Sequence, residues 1–342
     1  MNFMRAPAFW WRRERGRLAQ LLAPLGALVG GATLARLRRP GMGVGVPVIC
    51  VGNPTVGGAG KTPTVIEIAR RLTLRGHKPA VLTRGYGGRL KGPVRVDPLL
   101  HGADEVGDEP LLLARSAPTF VARDRLAGAQ AAAQAGADVL IMDDGFQSPA
   151  LAKSLSILVI DAGVGIGNGL CLPAGPLRAP LAPQLERAQA LLVIGEGAPG
   201  ERAAREGYAA GIVVLRGRLA PEAQAVARLF GKRVLAYAGI GRPAKFFETL
   251  RTLGVLPVVT RAFPDHHVYT ASDVQELRAQ AEAMDLLLVT TEKDAMRLAG
   301  SEIGQHLIEV SDVLPVRMAL EPQSAKALER MLGGLEAGPR EH

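Results

Sequence analysis

The run Thr55-Val56-Gly57-Gly58-Ala59-Gly60-Lys61-Thr62 combines residue types suited to holding a phosphate chain. Its three glycines let the backbone approach an anion closely, so that successive N–H groups can ring it. Lys61 can reach the β- and γ-phosphates of a nucleotide such as ATP, and Thr62 can ligate Mg²⁺. The run departs from the usual GxxxxGK[ST] pattern at its first position, where Thr55 stands in place of Gly. A glycine-rich turn that binds nothing is the bland alternative. A second element, Val139-Leu-Ile-Met-Asp143-Asp144-Gly-Phe-Gln147, is an apolar run closed by acids. In that form a strand end delivers a carboxylate to a nucleotide-bound metal, so Asp143 and Asp144 are the candidate metal-side acids beside Thr62. An Asp pair after a strand also starts ordinary turns, and pairing with the glycine loop is what gives this one weight.

Three further polar, glycine-rich segments are poorly explained by packing: Thr83-Arg84-Gly-Tyr86-Gly-Gly88, Gly107-Asp108-Glu109-Pro110, and the loop from Gly167 to Arg178. Each has a plain alternative. Asp108 and Glu109 could simply cap the helix that follows. In the second half, Phe263-Pro-Asp265-His266-His267 and Thr290-Thr291-Glu292-Lys293-Asp294 close apolar runs. The first has catalytic character and the second a nucleotide-facing one. Two adjacent histidines tend to point different ways, so at most one serves a site.

The elements that must position these residues follow from the apolar runs. Val46–Val51 reads as a strand leading into the glycine loop, and the spacing over Thr64–Arg75 predicts a helix leading out of it. Further runs at 80–82, 119–122, 139–142, 157–160 and 191–194 alternate with helical stretches such as 127–135. That alternation predicts a parallel sheet covered by helices, the α/β architecture of P-loop NTPases. A second series, with runs at 234–238, 255–260 and 286–290 and helices over 244–253 and 272–284, predicts a smaller α/β domain. The join falls within 215–232. The expected division is a membrane-associated helix over 1–40, a P-loop core over 41–220 and a C-terminal domain over 221–342.

The 342 residues are 48% apolar and 21% charged, which indicates a globular chain. Eight arginines against Glu14 in residues 1–40 account for seven of the nine net positive charges. The rest of the chain is nearly neutral, which argues against a nucleic-acid partner, because such a domain spreads Lys and Arg over its folded face. These arginines flank Leu18–Ala35, which carries no charge, with Trp10 and Trp11 just outside it. A basic cluster beside an apolar run attracts anionic lipid headgroups, and tryptophans favour the headgroup layer. Eighteen helical residues rise only about 27 Å, slightly short of a bilayer core, so spanning and lying in the interface both stay open. Cys50 and Cys171 have neither metal-site nor disulfide spacing.

Taken in order, VGGAGKTP, RGYGG, GDEP, VARDR, DDGFQ, LPAGPLR, FPDHHxY and TEKD behind a basic apolar amino terminus resemble the tetraacyldisaccharide 4'-kinase family. The resemblance covers about residues 46 to 297. It implies transfer of the ATP γ-phosphate, with Mg²⁺, to the 4'-hydroxyl of a lipid-linked glucosamine disaccharide in lipid A biosynthesis, at the cytoplasmic face of the inner membrane. It also implies a catalytic pair that falls on Asp108 and His266, with Lys61 offsetting phosphoryl charge. Asp108 in the first domain and His266 in the second then meet when the domains close. No obligate protein partner is implied. The alternative is a membrane-bound regulatory P-loop ATPase; the signature Lys of deviant-Walker ATPases and the base-reading NKxD of GTPases are both missing from the sequence.

Overall fold

The computed structural model describes residues 6–335. Eight strands build most of a large sheet: β1 (Val48–Gly52), β2 (Pro79–Thr83), β3 (Val94–Arg95), β4 (Thr119–Val121), β5 (Val139–Asp143), β6 (Leu155–Asp161), β7 (Ala190–Ile194) and β8 (Val213–Pro221). Four more, β9 (Arg233–Ala238), β10 (Leu256–Ala262), β11 (Leu287–Thr291) and β12 (Ser311–Leu314), form a parallel sheet of their own in the order β10-β9-β11-β12. The last strand, β13 (Val316–Leu320), returns to the large sheet and pairs antiparallel with β8. The large sheet then runs β13-β8-β7-β6-β1-β5-β2-β4-β3.

Its central strands are buried on both faces, which is why they read as unbroken apolar runs and not as alternating ones. On β1 the side chains of Val48 and Cys50 enter one core and those of Ile49 and Val51 the other. The helix Lys61–Leu74 packs Val65, Ile68, Ala69 and Leu72 into the second of these cores. On the opposite face lie Ala129 and Ala132 of the helix Arg125–Gln134, together with Ala203 and Ala204 of the helix Ala198–Ala209. The small sheet likewise has a core on each side.

Sheet membership differs from the expected division at the carboxyl end. Residues 316–333 belong with the large sheet, although the sequence reading placed everything after 221 in the smaller unit. The helix Pro322–Gly333 seats Leu328 and Leu332 in the core under the Lys61–Leu74 helix, and its Glu329 pairs with Arg71 and Arg75. The return was not legible because β13 pairs antiparallel with β8 at the sheet edge only after the whole small sheet has intervened in the chain. Nor did the sequence mark β8, most of which falls in the stretch 215–232 read as the join.

The helix Arg17–Leu37 is long and apolar enough to cross a membrane, with Pro24 inside it and only 22% of its most apolar window buried. Leu18, Leu21, Leu25 and Leu28 are exposed, whereas Gly26 and Gly30 are buried against the Gly167–Arg178 loop. A Cβ at Gly26 would come within 2.7 Å of the Cys171 carbonyl oxygen, and one at Gly30 within 2.6 Å of Cys171 Sγ. The contact therefore depends on glycine at both places. Trp10, expected at a headgroup layer, is half-buried, and its indole N–H donates to the Pro173 carbonyl at 2.9 Å.

Candidate functional site

The glycine loop leaves β1 and opens the helix Lys61–Leu74, so its backbone amides and the helix N-terminus share one end of the sheet. Asn53 shapes it. The Asn53 side-chain carbonyl accepts from the Thr55 backbone N–H (2.9 Å) and hydroxyl (2.8 Å), while its amide donates to the Gly57 carbonyl at 3.1 Å. Thr55, the departure from the usual pattern, is thus a buried residue whose hydroxyl anchors the loop. Gly57 and Gly60 have left-handed φ of +102° and +91°, where a side chain is strained. Val56, Gly58 and Ala59 complete the turn, Lys61 begins the helix, and Thr62 is buried in its first turn.

Pairing of β1 with β5 sets Val51 beside Asp143, which brings the two acids to the loop. They are treated differently. Asp143 is buried, and its Oδ1 has no hydrogen-bond partner among the described residues. Burial, with Glu109 nearby, pushes its carboxyl up to about 7, while Lys61 pulls the other way. Asp144 has a left-handed φ of +49°. Its carboxylate accepts from Arg178, Nη1 to Oδ1 at 2.9 Å and Nη2 to Oδ2 at 3.0 Å, with Lys61 Nζ 3.7 Å away. The charges of Lys61 and Arg178 outweigh its desolvation and hold its pKa down.

The Gly167–Arg178 loop joins this centre to the amino-terminal helix. Pro176 accepts from the Val56 N–H at 2.9 Å, the Arg178 N–H donates to Pro54 at 2.9 Å, and Arg178 Nε donates to Thr55 at 3.1 Å. From the other side the Asn168 N–H donates to the Trp10 carbonyl at 2.8 Å.

Asp108 starts the helix Asp108–Ala114 and is buried. Its Oδ1 accepts from the Glu109 N–H at 2.9 Å, and its Oδ2 lies 3.4 Å from His266 Nδ1, contributed by the loop after β10. Arg297, from the helix Glu292–Ala299, reaches the same oxygen through Nε (2.8 Å) and Nη2 (2.6 Å). The charges of Arg297 and His266 overcome desolvation and hold the Asp108 carboxyl well below the usual range, and Asp108 in turn raises the His266 pKa. His266 takes a left-handed φ of +57°, uncommon for a residue with a side chain. Tyr86 of the RGYGG loop sets its ring edge-on to His266, with centroids 5.6 Å apart. His267 has other partners: it bonds Asp273 at 2.9 Å and stacks on Phe263.

Further ion pairs cross between the sheets. Glu109 meets Lys293, and Asp161 at the end of β6 meets Arg242 and Lys245. Thus the structure assembles the glycine loop with Asp143 and Asp144, and joins Asp108 to His266. Sequence reasoning did not single out Arg178, Arg297 or the Glu109–Lys293 pair for these contacts. Each is a charged residue in a motif whose partner lies far along the chain.

No three His, Cys, Asp or Glu side chains converge on a metal position among the described residues. A closed structural metal centre does not fit such a donor set. Magnesium does fit it: that ion takes one or two carboxylates and completes its shell with phosphates and water, and Asp143 Oδ1 is a buried carboxylate oxygen left unpaired.

The family model for tetraacyldisaccharide-1-P 4'-kinase matches residues 18–333. Two curated relatives carry the same name. The one from Methylobacterium sp. strain 4-46 is 56% identical over 98% of this chain and 100% of its own length. The one from Xanthobacter autotrophicus is 52% identical over 98% of each. Among solved structures, an "apo" form of LpxK from Aquifex aeolicus in complex with ATP superposes with a TM-score of 0.69 at 24% identity, covering 93% of this chain and 99% of that one. With a family model spanning nearly the whole fold and relatives above half identity over almost their full length, the chain belongs to the tetraacyldisaccharide-1-P 4'-kinase family.

Proposed function

We propose that this chain transfers the γ-phosphate of ATP to the 4'-hydroxyl of a tetraacylated glucosamine disaccharide 1-phosphate, at the cytoplasmic face of the inner membrane. Family membership supports the reaction. The observation that carries the residue assignments is the approach of His266 to Asp108 from a separate sheet, beside a glycine loop with an unpaired buried carboxylate.

The glycine loop from Thr55 to Thr62 binds the nucleotide phosphates through its backbone N–H groups, and Lys61 offsets charge on the transferring group. Thr62 and Asp143 would hold Mg²⁺, which would supply positive charge against the negative charge of the phosphates. Asp108 takes the proton of the sugar hydroxyl as its oxygen bonds to the γ-phosphorus; the bond from phosphorus to the β-phosphate oxygen breaks, and ADP leaves with the electron pair. His266 fixes the carboxylate and, in its charged form, keeps it ionised. Because Asp108 and His266 stand on different sheets, the two units act as domains whose closure completes the site and excludes water. The exposed leucines of the Arg17–Leu37 helix and the arginines around it hold the enzyme at the surface where its acylated substrate lies.

The test is phosphate transfer from ATP with Mg²⁺ to the tetraacyl disaccharide monophosphate in detergent micelles, comparing the unmodified protein with Lys61→Ala and Asp108→Ala. Lipid phosphorylation that both variants lose is the expected outcome. ATP hydrolysis without lipid phosphorylation would instead identify a regulatory ATPase.

A further inference from the structure

In this structure the shortest contacts to the Asp108 carboxylate come from Arg297, at 2.8 and 2.6 Å, and not from His266 at 3.4 Å. Arg297 is itself fixed from behind. Its Nη1 donates to Asp294 Oδ1 at 2.9 Å and also to the Gly239 carbonyl. Asp294 is fully buried, and its carboxylate accepts from the Tyr269 hydroxyl (2.9 Å), the Gly239 N–H (3.0 Å) and the Thr291 hydroxyl (2.7 Å). The same Gly239 carbonyl accepts the backbone N–H of His266 at 3.1 Å. One carbonyl therefore ties the Arg297 guanidinium to the backbone of His266, the two residues that reach Asp108. A side chain at position 239 would disturb this, since a Cβ there meets Asp294 Oδ1 at 3.1 Å and Pro264 O at 3.2 Å.

We propose that Arg297, held by Asp294 and the Gly239 carbonyl, is a positioning residue for phosphoryl transfer: it carries the second sheet's grip on Asp108 and sets that carboxylate in register with His266. The inference rests on Asp108 being the base. A salt bridge that served only to join the sheets would need neither the shared carbonyl nor a buried, fully bonded Asp294 behind it. Arg297 Nη2 is buried and forms no well-aligned hydrogen bond among the described residues, although it lies 2.6 Å from Asp108. Nε makes the aligned hydrogen bond to Asp108 at 2.8 Å, and the bonds of Nη1 to Asp294 and Gly239 hold the guanidinium plane from behind. Arg297 forms and breaks no bond in the reaction.

The experiment is a double-mutant cycle on lipid phosphorylation by the full chain in micelles, with Arg297→Lys and Asp108→Asn singly and together. Lysine keeps the buried charge but cannot reach Asp108, Asp294 and Gly239 at once. Arg297→Lys is expected to lower kcat about 100-fold, the scale of misplacing a reacting group by about 1 Å, with the KM for ATP within about twofold. In the Asp108→Asn background the same change should cost less than about twofold. If Arg297→Lys does not fold, as read by thermal melting, Gly239→Ala gives the same cycle with a smaller displacement. Unchanged kcat, or equal losses in both backgrounds, overturns the assignment. Asp108→Asn at the unmodified rate removes the base and Arg297 with it, and an unmodified protein that phosphorylates no lipid removes the functional reading first.

Discussion

Arg178 and Lys61 share one carboxylate, and removing Arg178 separates two readings of Asp144. Arg178→Ala loses the two-pronged contact with Asp144 at 2.9 and 3.0 Å, the bond to Thr55 at 3.1 Å and that to Gln147 at 3.2 Å. The pair is partly exposed, 23% for Arg178 and 35% for Asp144, so its contribution to stability is about 1 to 2 kcal/mol. A loss of that size lowers the melting temperature by about 3 to 6 °C. The larger effect falls on Lys61. At 3.7 Å from Asp144 and an effective dielectric constant of about 20, their attraction is about 4 kcal/mol before screening. With Arg178 gone, Asp144 draws on Lys61 alone, and even a quarter of that attraction, about 1 kcal/mol, weakens ATP about fivefold. Calorimetric titration of MgATP should show this loss in Arg178→Ala and recovery of most of it in Arg178→Ala/Asp144→Asn, where Lys61 is released. If the double variant binds no better than the single one, Asp144 serves the metal directly and the competition argument is wrong.

Asp143 is held up to about 7, so its folded-state pKa exceeds the unfolded value and the nucleotide-free protein loses stability as pH rises from about 4 to 7. Asp143→Asn should therefore melt higher than the unmodified protein at pH 8, with the gap closing toward pH 4, while MgATP affinity of the unmodified protein increases from pH 6 to pH 8. Equal melting at pH 8 would contradict the buried charge. Gly30→Val should lower the melting temperature by the equivalent of about 1 to 3 kcal/mol through its collision with Cys171, whereas Gly31→Ala, with nothing within 4 Å among the described residues, should be neutral or stabilising. Similar melting for the two would mean that the helix is not seated on the loop. Leu21→Lys/Leu28→Lys, on the exposed face of the same helix, should reduce phosphorylation of substrate in vesicles while leaving ATP binding unchanged. Equal loss of both would show that the helix serves the fold and not the membrane. Removing residues 1–38 is a poorer test, because it also strips the packing from Cys171.

The strands buried on both faces announced themselves, because a parallel sheet leaves continuous runs such as Val139–Met142 in the sequence. The glycine loop was legible for a local reason: its glycines, Lys61 and Thr62, and the Asn53 that turns it, all lie in one short segment. Asp108 and His266 could be paired only through resemblance, since no local pattern says that a helix start in one unit faces a loop in the other. Arg297 illustrates the limit better. Four residues past Lys293 it reads as an ordinary charge in the last turn of a helix, and its position against Asp108 depends on how the small sheet docks. The Arg178 contact to Asp144 was hidden for a related reason: an acid after a strand end carries no sign of the arginine that a separate loop brings to it. The return of β13 to the large sheet was hidden because a half-exposed edge strand carries no sign of a partner lying before the intervening sheet, and most of that partner, β8, fell in the stretch read as a join.

The most direct test follows the phosphorus itself. ATP labelled at the γ-phosphate is supplied with Mg²⁺ and the tetraacyl disaccharide monophosphate, and the position of label on the recovered lipid is determined by mass spectrometry. Label on the 4' oxygen with the unmodified protein, and its disappearance with Asp108→Ala, is the predicted result. Label recovered only as inorganic phosphate, or on the lipid at an undiminished level with Asp108→Ala, would contradict it.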